Sequence, residues 1–136
     1  MPIRADASIR EILRNAKSIA VVGASPKPGR DSGTIASYLA RKGFTVIPVN
    51  PAYAEVFGMK CFPDLTSIGS QVDIVDIFRR PEEVMPIVEE AIKIGAGTVW
   101  MQLEVVHEEA ARRAEEAGLN VVMDRCIAIE YRRLVQ

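Results

Sequence analysis

Short, almost wholly apolar runs recur along the chain, separated by longer stretches in which apolar residues return every three or four positions. The runs are Ser18–Gly23, Phe44–Val49, Val72–Phe78, Thr98–Gln102 and Leu119–Met123. Each has strand length and lacks polar alternation, the pattern of a parallel strand buried on both faces. The intervening stretches read as helices. One runs from about Ser32 to Lys42, with Ile35, Tyr38 and Leu39 facing inward and Gly43 ending it. A second opens at Pro81-Glu82-Glu83 and closes at Ile94-Gly95, with proline in its first turn. A charged helix follows from about His107 to Ala117, and a last one from Cys126 to Leu134. Before them all, Ser8-Ile9-Arg10-Glu11 fits a capping box, which predicts a short first helix ending near Asn15. A minor strand is expected at Met59–Phe62, stopped by Pro63.

This alternation predicts an α/β fold: a doubly wound parallel sheet in three layers, α/β/α. Right-handed crossovers place every strand-to-helix loop on one edge of such a sheet, and ligands bind at that edge. Function is therefore expected in the loops after Gly23, Val49, Phe78, Gln102 and Met123. The 136 residues suit a single domain, 1–136. With 49% apolar and 26% charged residues the composition is that of a soluble globular protein. The 17 basic and 18 acidic side chains nearly cancel, which argues against a nucleic-acid or membrane-surface partner. No apolar run approaches membrane-spanning length, and the first residues carry no signal-peptide core. Two cysteines without CxxC spacing imply no disulfide framework, so a cytoplasmic location is expected.

The first loop, Gly23-Ala24-Ser25-Pro26-Lys27-Pro28-Gly29-Arg30, carries the strongest chemical signal. It leads into a helix whose first amides lack partners and whose dipole is positive at that end, a ready site for an anion. Ser25 and Ser32 add hydroxyls, and Lys27 and Arg30 add charge. The spacing is not G-x-G-x-x-G. A nicotinamide dinucleotide site also wants a carboxylate at the end of the second strand, where Asn50-Pro51 stands instead. Pro51 and Tyr53 are placed to flank an adenine ring, while Lys27, Arg30 or Arg79 could meet an additional ribose phosphate.

Five segments carry a family resemblance. They are Val21-Val22-Gly23-Ala24-Ser25, Val46-Ile47-Pro48-Val49-Asn50-Pro51, Val72 to Pro81 (VDIVDIFRRP), Trp100-Met101-Gln102-Leu103 and Val122-Met123-Asp124-Arg125-Cys126. In this order and spacing the chain resembles the stand-alone coenzyme A-binding proteins, relatives of the N-terminal domain of the succinyl-CoA synthetase α subunit. The resemblance implies a Rossmann-like sheet with coenzyme A, or an acyl-CoA, across its strand ends. It implies that Ser25 to Pro28 border the diphosphate and that Pro51 and Tyr53 border the nucleotide end. Phe78 and Arg79 would flank the ligand, and Gln102 would approach the pantetheine. The implied role is a carrier or sensor without catalysis; a nucleotide-dependent or acyl-CoA-handling enzyme is the alternative. The synthetase's phosphorylated histidine belongs to a second domain, and the ligase reaction is not expected to carry over.

Candidate reactive groups are few. Cys126 follows Arg125 where a helix is expected to begin, and both neighbours favour a thiolate. One reading makes it a thiol that forms a mixed disulfide with coenzyme A; the other makes it a structural cysteine beside Ile127 and Ile129. The segment Ile127-Ala128-Ile129 is also a candidate interface. Cys61 reads as part of the minor strand and His107 as a surface residue. Asp73 and Asp76 point to opposite faces of a strand, Asp73 as a strand start and Asp76 as a hydrogen-bonded polar site. One of Arg79 and Arg80 should reach the ligand edge, with the other pairing to Glu82 or Glu83. No cluster has metal-ligand spacing.

Overall fold

All five apolar runs become strands of one parallel sheet in the computed structural model, which describes residues 1–136. They are β1 (Ser18–Val22), β2 (Thr45–Val49), β5 (Ile74–Ile77), β6 (Thr98–Met101) and β7 (Asn120–Val122), ordered β2-β1-β5-β6-β7. Two further strands, β3 (Glu55–Val56) and β4 (Met59–Lys60), pair as a separate antiparallel hairpin. The helices are α1 (Asp6–Asn15), α2 (Asp31–Arg41), α3 (Val84–Lys93), α4 (Glu108–Glu116) and α5 (Ile127–Leu134). On one face, Val84, Val88 and Ala91 of α3 and Ala110, Ala111 and Ala114 of α4 pack on Val75, Ile77 and Val99. On the other, α1, α2 and α5 bury Ile9, Leu13, Leu39, Ile127 and Leu134 against Ile19, Val21, Ile74 and Trp100. The result is the three-layer α/β/α Rossmann-like arrangement.

Several local expectations are corrected. Ser8 does not cap α1: the helix starts a turn earlier at Asp6, with Ala5 as N-cap. There the Ala5 carbonyl accepts from the Ser8 and Ile9 amides. Pro81 opens a 3-10 turn, Pro81–Glu83, before α3 begins. The minor strand stops at Lys60; Cys61 lies beyond it, buried, and Phe62 bridges to Val49. His107 is the N-cap of α4, its Nδ1 accepting from the Ala110 amide at 3.0 Å. Within Ile127-Ala128-Ile129, Ile127 is wholly buried and Ala128 nearly so; only Ile129 reaches solvent.

Asp76 is the largest departure. It sits on the central strand β5, in register with Val21 of β1 and Trp100 of β6, and is 0% exposed. Neither carboxyl oxygen has a hydrogen-bond partner, contrary to the expected polar site. Burial pushes its pKa well above the usual carboxylate range. Asp73, just before β5, accepts instead from the Lys17 and Ser18 amides at 2.7 and 3.1 Å.

Charged groups clamp α5 to α1. Arg133 forms ion pairs with Asp6 at 2.8 Å and with Glu130 at 3.0 Å, while Arg125 meets Glu130 at 2.6 Å. The Arg133 hydrogen bonds hold the Asp6 carboxyl below its ordinary pKa; they do the same for Glu130, assisted by Arg125. The indole of buried Trp100 donates to the Arg125 carbonyl at 2.8 Å, fixing the segment that enters α5.

Candidate functional site

The direction of strand addition reverses at β1. The chain adds β2 on one side and then crosses to β5 on the other. A crevice at such a point, outside the strand ends, is where ligands bind in open α/β sheets. A cleft of about 440 Å³ occupies it, a size suited to small-molecule recognition. Gly23, Phe78 and Gln102 follow β1, β5 and β6 and reach it from below. Arg30, Asp31, Ser32 and Ile35 wall one side; Arg79, Arg80 and Pro81 another; Leu103, Glu104, Val105 and Cys126 complete it.

Two close approaches shape the first loop. Gly23 has φ +94°, and a β-carbon there would collide with the Phe78 carbonyl oxygen. A β-carbon on Gly33 would collide with the Ser25 carbonyl oxygen and the Phe57 ring. The loop is also tied to itself and to its neighbours. Ser25 N–H donates to Ser32 Oγ at 3.1 Å, and Lys27 N–H to Ser25 Oγ at 3.2 Å. Asn50 Nδ2 donates to the Ala24 carbonyl at 3.0 Å, while its Oδ1 accepts from the Ala52 amide at 2.9 Å. Asn50 thus joins the loops after β1 and β2.

Both α2 and α5 begin at the cleft. In the first turn of α2 the amides of Asp31, Ser32 and Gly33 donate to no protein acceptor, as expected of a helix N-terminus. Those amides, the dipole behind them, Arg30 and Arg79 make this end of the cleft attractive to an anion. At α5, Ile127 N–H donates to Gln102 Oε1 at 2.9 Å. Gln102 is 5% exposed, and its Nε2 makes no hydrogen bond within the protein. Beyond β6, Glu104 adopts φ +69°, and its amide donates to Asp124 Oδ1 at 2.7 Å, joining the loops after β6 and β7.

Of the residues expected from sequence, Gly23, Arg30, Ser32, Phe78, Arg79, Gln102 and Cys126 line the cleft. Ala24, Ser25 and Asn50 are buried in its framework, while Pro26 is half-buried and Lys27 exposed outside the lining. Pro51 lines an adjoining hollow of about 160 Å³, which shares Arg79 with the cleft. Tyr53 is half-buried and packs against the core on one face of the sheet. Arg80 lines the cleft and also pairs with Glu83 at 3.2 Å and Glu82 at 3.6 Å, and Arg79 stands 4.0 Å from Glu83. Arg125 is turned toward Glu130, so it is engaged there rather than reserved for Cys126. Gly29, within the expected first loop, also lines the cleft; sequence reasoning missed Asp31, Ile35, Pro81, Leu103, Glu104 and Val105. The last three follow β6, so the rule that sites gather after parallel strands could have found them.

A model of the CoA binding domain matches residues 17–132. The chain belongs to this CoA-binding domain family. It is 39% identical over 125 residues to the uncharacterized protein YneT of Bacillus subtilis (strain 168), covering 92% of this chain and 93% of that one. It is 32% identical over 123 residues to the ADP-forming acetate–CoA ligase I of Archaeoglobus fulgidus, covering 83% of this chain and 18% of the ligase. The CoA-binding domain thus spans under a fifth of that relative. Among solved structures, a hypothetical protein from Pyrococcus horikoshii OT3 superimposes with a TM-score of 0.95 at 46% identity, covering 100% of this chain and 97% of that one. No helix of this CoA-binding domain is long and apolar enough to cross a membrane.

Proposed function

We propose that this protein binds coenzyme A, free or as an acyl thioester, in the cleft between α2 and α5, and that it acts as a carrier or sensor. The observation that carries the reading is the set of free α2 amides beside Arg30 and Arg79 on a cleft at the sheet's switch point. They supply what a diphosphate requires: several fixed N–H donors, a positive dipole and mobile cations. Toward α5 the unpartnered Nε2 of Gln102 offers a donor to an amide carbonyl, a group the pantetheine arm carries. A dinucleotide oxidoreductase is less well supported. The place of its ribose-binding carboxylate holds Asn50, whose side chain is committed to Ala24 and Ala52.

A thermal-shift panel of coenzyme A, dephospho-coenzyme A, NAD, NADP and ATP tests the reading. Coenzyme A at one hundred times its dissociation constant should add about 2.7 kcal/mol of stability. Weaker stabilisation by dephospho-coenzyme A would show that the cleft's arginines meet the ribose phosphate. Stabilisation by NAD alone would overturn the proposal.

A further inference from the structure

Cys126 is the N-cap of α5, yet its side chain caps no amide. The capping is done by Gln102, whose Oε1 accepts from the next residue, Ile127. That bond places the Gln102 amide beside the half-buried Cys126, and both line the cleft. Gln102 is 5% exposed, and its Nε2 has no protein acceptor. That donor is open to the cleft rather than sealed from solvent, so an acceptor on an entering ligand can take the place of water there. The other cysteine is differently placed. Cys61 is buried outside the lining, its thiol donates to the Asn50 carbonyl at 3.5 Å, and burial pushes its pKa up.

We infer that Cys126 captures coenzyme A covalently by exchange with an oxidised, disulfide form of the coenzyme seated in the cleft. The inference rests on the coenzyme A reading of the site. The Cys126 sulfur, as thiolate, attacks one sulfur of coenzyme A disulfide. The ligand's S–S bond breaks and a new S–S bond forms between Cys126 and one coenzyme A half. The other half leaves as a thiolate and takes a proton from solvent. No net oxidation occurs, because the incoming disulfide carries the oxidising equivalents into the product. Gln102 is a positioning residue: its Nε2 donates to a pantetheine carbonyl and holds the arm with its sulfur end toward Cys126. A small thiol or disulfide brings no nucleotide to the α2 amides and gains nothing from the cleft.

Intact-protein and peptide mass spectrometry with coenzyme A disulfide tests this, alongside thermal shift with reduced coenzyme A. The expected product is a mass gain of one coenzyme A less one hydrogen, confined to Cys126, absent in Cys126→Ser and reversed by dithiothreitol. Binding makes the exchange effectively intramolecular, so it should outrun exchange with bis(2-hydroxyethyl) disulfide by at least about tenfold. Reduced coenzyme A should slow it by competition. Gln102→Glu keeps an acceptor for the Ile127 amide but removes the donor, so it should lower the ratio of the coenzyme A disulfide rate to the small-disulfide rate, which cancels any change in the reactivity of the thiol itself. Labelling of Cys61, or a rate no greater than that of the small disulfide, overturns the inference while a thermal shift with reduced coenzyme A leaves the site reading standing. Absence of both the shift and the rate advantage removes the two together.

Discussion

Replacing Asp76 by asparagine should change how stability depends on pH. Asp76 is fully buried between Val21 and Trp100 in register, with both oxygens unpartnered. Burial therefore keeps it protonated in the folded state at pH values where the unfolded chain's carboxyl, of pKa about 3.9, has already ionised. With the proton held by the folded state only, stability falls as pH rises. One full proton gives a slope of about 1.4 kcal/mol per pH unit, from the unfolded pKa up to the folded one. Below the unfolded pKa both states are protonated and the penalty vanishes. The side-chain amide introduced by Asp76→Asn cannot ionise, so the variant loses this slope. Asp6 and Glu130 contribute in the opposite sense, since their lowered pKa values give stability that is lost as pH falls, but they are common to both proteins. Urea denaturation of each protein at several pH values from about 4 to 8 isolates the difference. The variant's stability relative to wild type should climb from the acid end and level off where the pH passes the folded-state pKa of Asp76. Its absolute position at low pH is immaterial, because a buried amide without partners has its own cost. A flat difference across the range would mean that Asp76 is ionised or hydrogen-bonded in the folded protein, and would refute the reasoning.

Glu130→Ala leaves Arg125 and Arg133 without the carboxylate that joins them and should destabilise by about 2–3 kcal/mol in urea denaturation. Gly33→Ala drives a β-carbon into the Ser25 carbonyl and should cost about 1–3 kcal/mol; calorimetry would show a lowered Tm. His107→Ala removes the acceptor for the Ala110 amide and should cost about 1 kcal/mol by chemical denaturation. Arg79→Ala should weaken coenzyme A binding by isothermal titration with little change in Tm, because its pairing with Glu83 at 4.0 Å is long, partly solvated and weak.

The parallel strands were legible because a strand buried on both faces has no polar alternation to hide it. The hairpin was legible only in half: a strand was expected at Met59–Phe62, of which Met59–Lys60 forms, while its partner Glu55–Val56 was missed. Its strands, Glu55–Val56 and Met59–Lys60, hold two residues each, too few for periodicity, and its turn uses Phe57 at φ +46°. Ser8-x-x-Glu11 met the local capping pattern, yet α1 starts earlier at Asp6, with the Ala5 carbonyl accepting from the Ser8 and Ile9 amides. Asp76 was read as a satisfied polar group because buried carboxylates usually are. Nothing local reveals that both its neighbours in register, Val21 and Trp100, are apolar. In the site, positions directly after strands were legible: Gly23, Phe78, Arg79 and Gln102. The distribution between cleft and framework was not, since Ser25 and Asn50 look like ligand donors in sequence and hold the loop in space. The Gln102–Ile127 bond joins residues 25 apart and depends wholly on the fold.

The loop after β1 is held by Ser32, Ser25 and Asn50 before any ligand arrives. Its ordering entropy is lost during folding, so association should resemble the docking of a rigid body. Ligands sharing the same diphosphate should then arrive at similar rates, and differences among them should be written in residence time. Cutting one of these internal ties, as in Ser32→Ala, transfers the ordering step to the encounter and makes arrival slower.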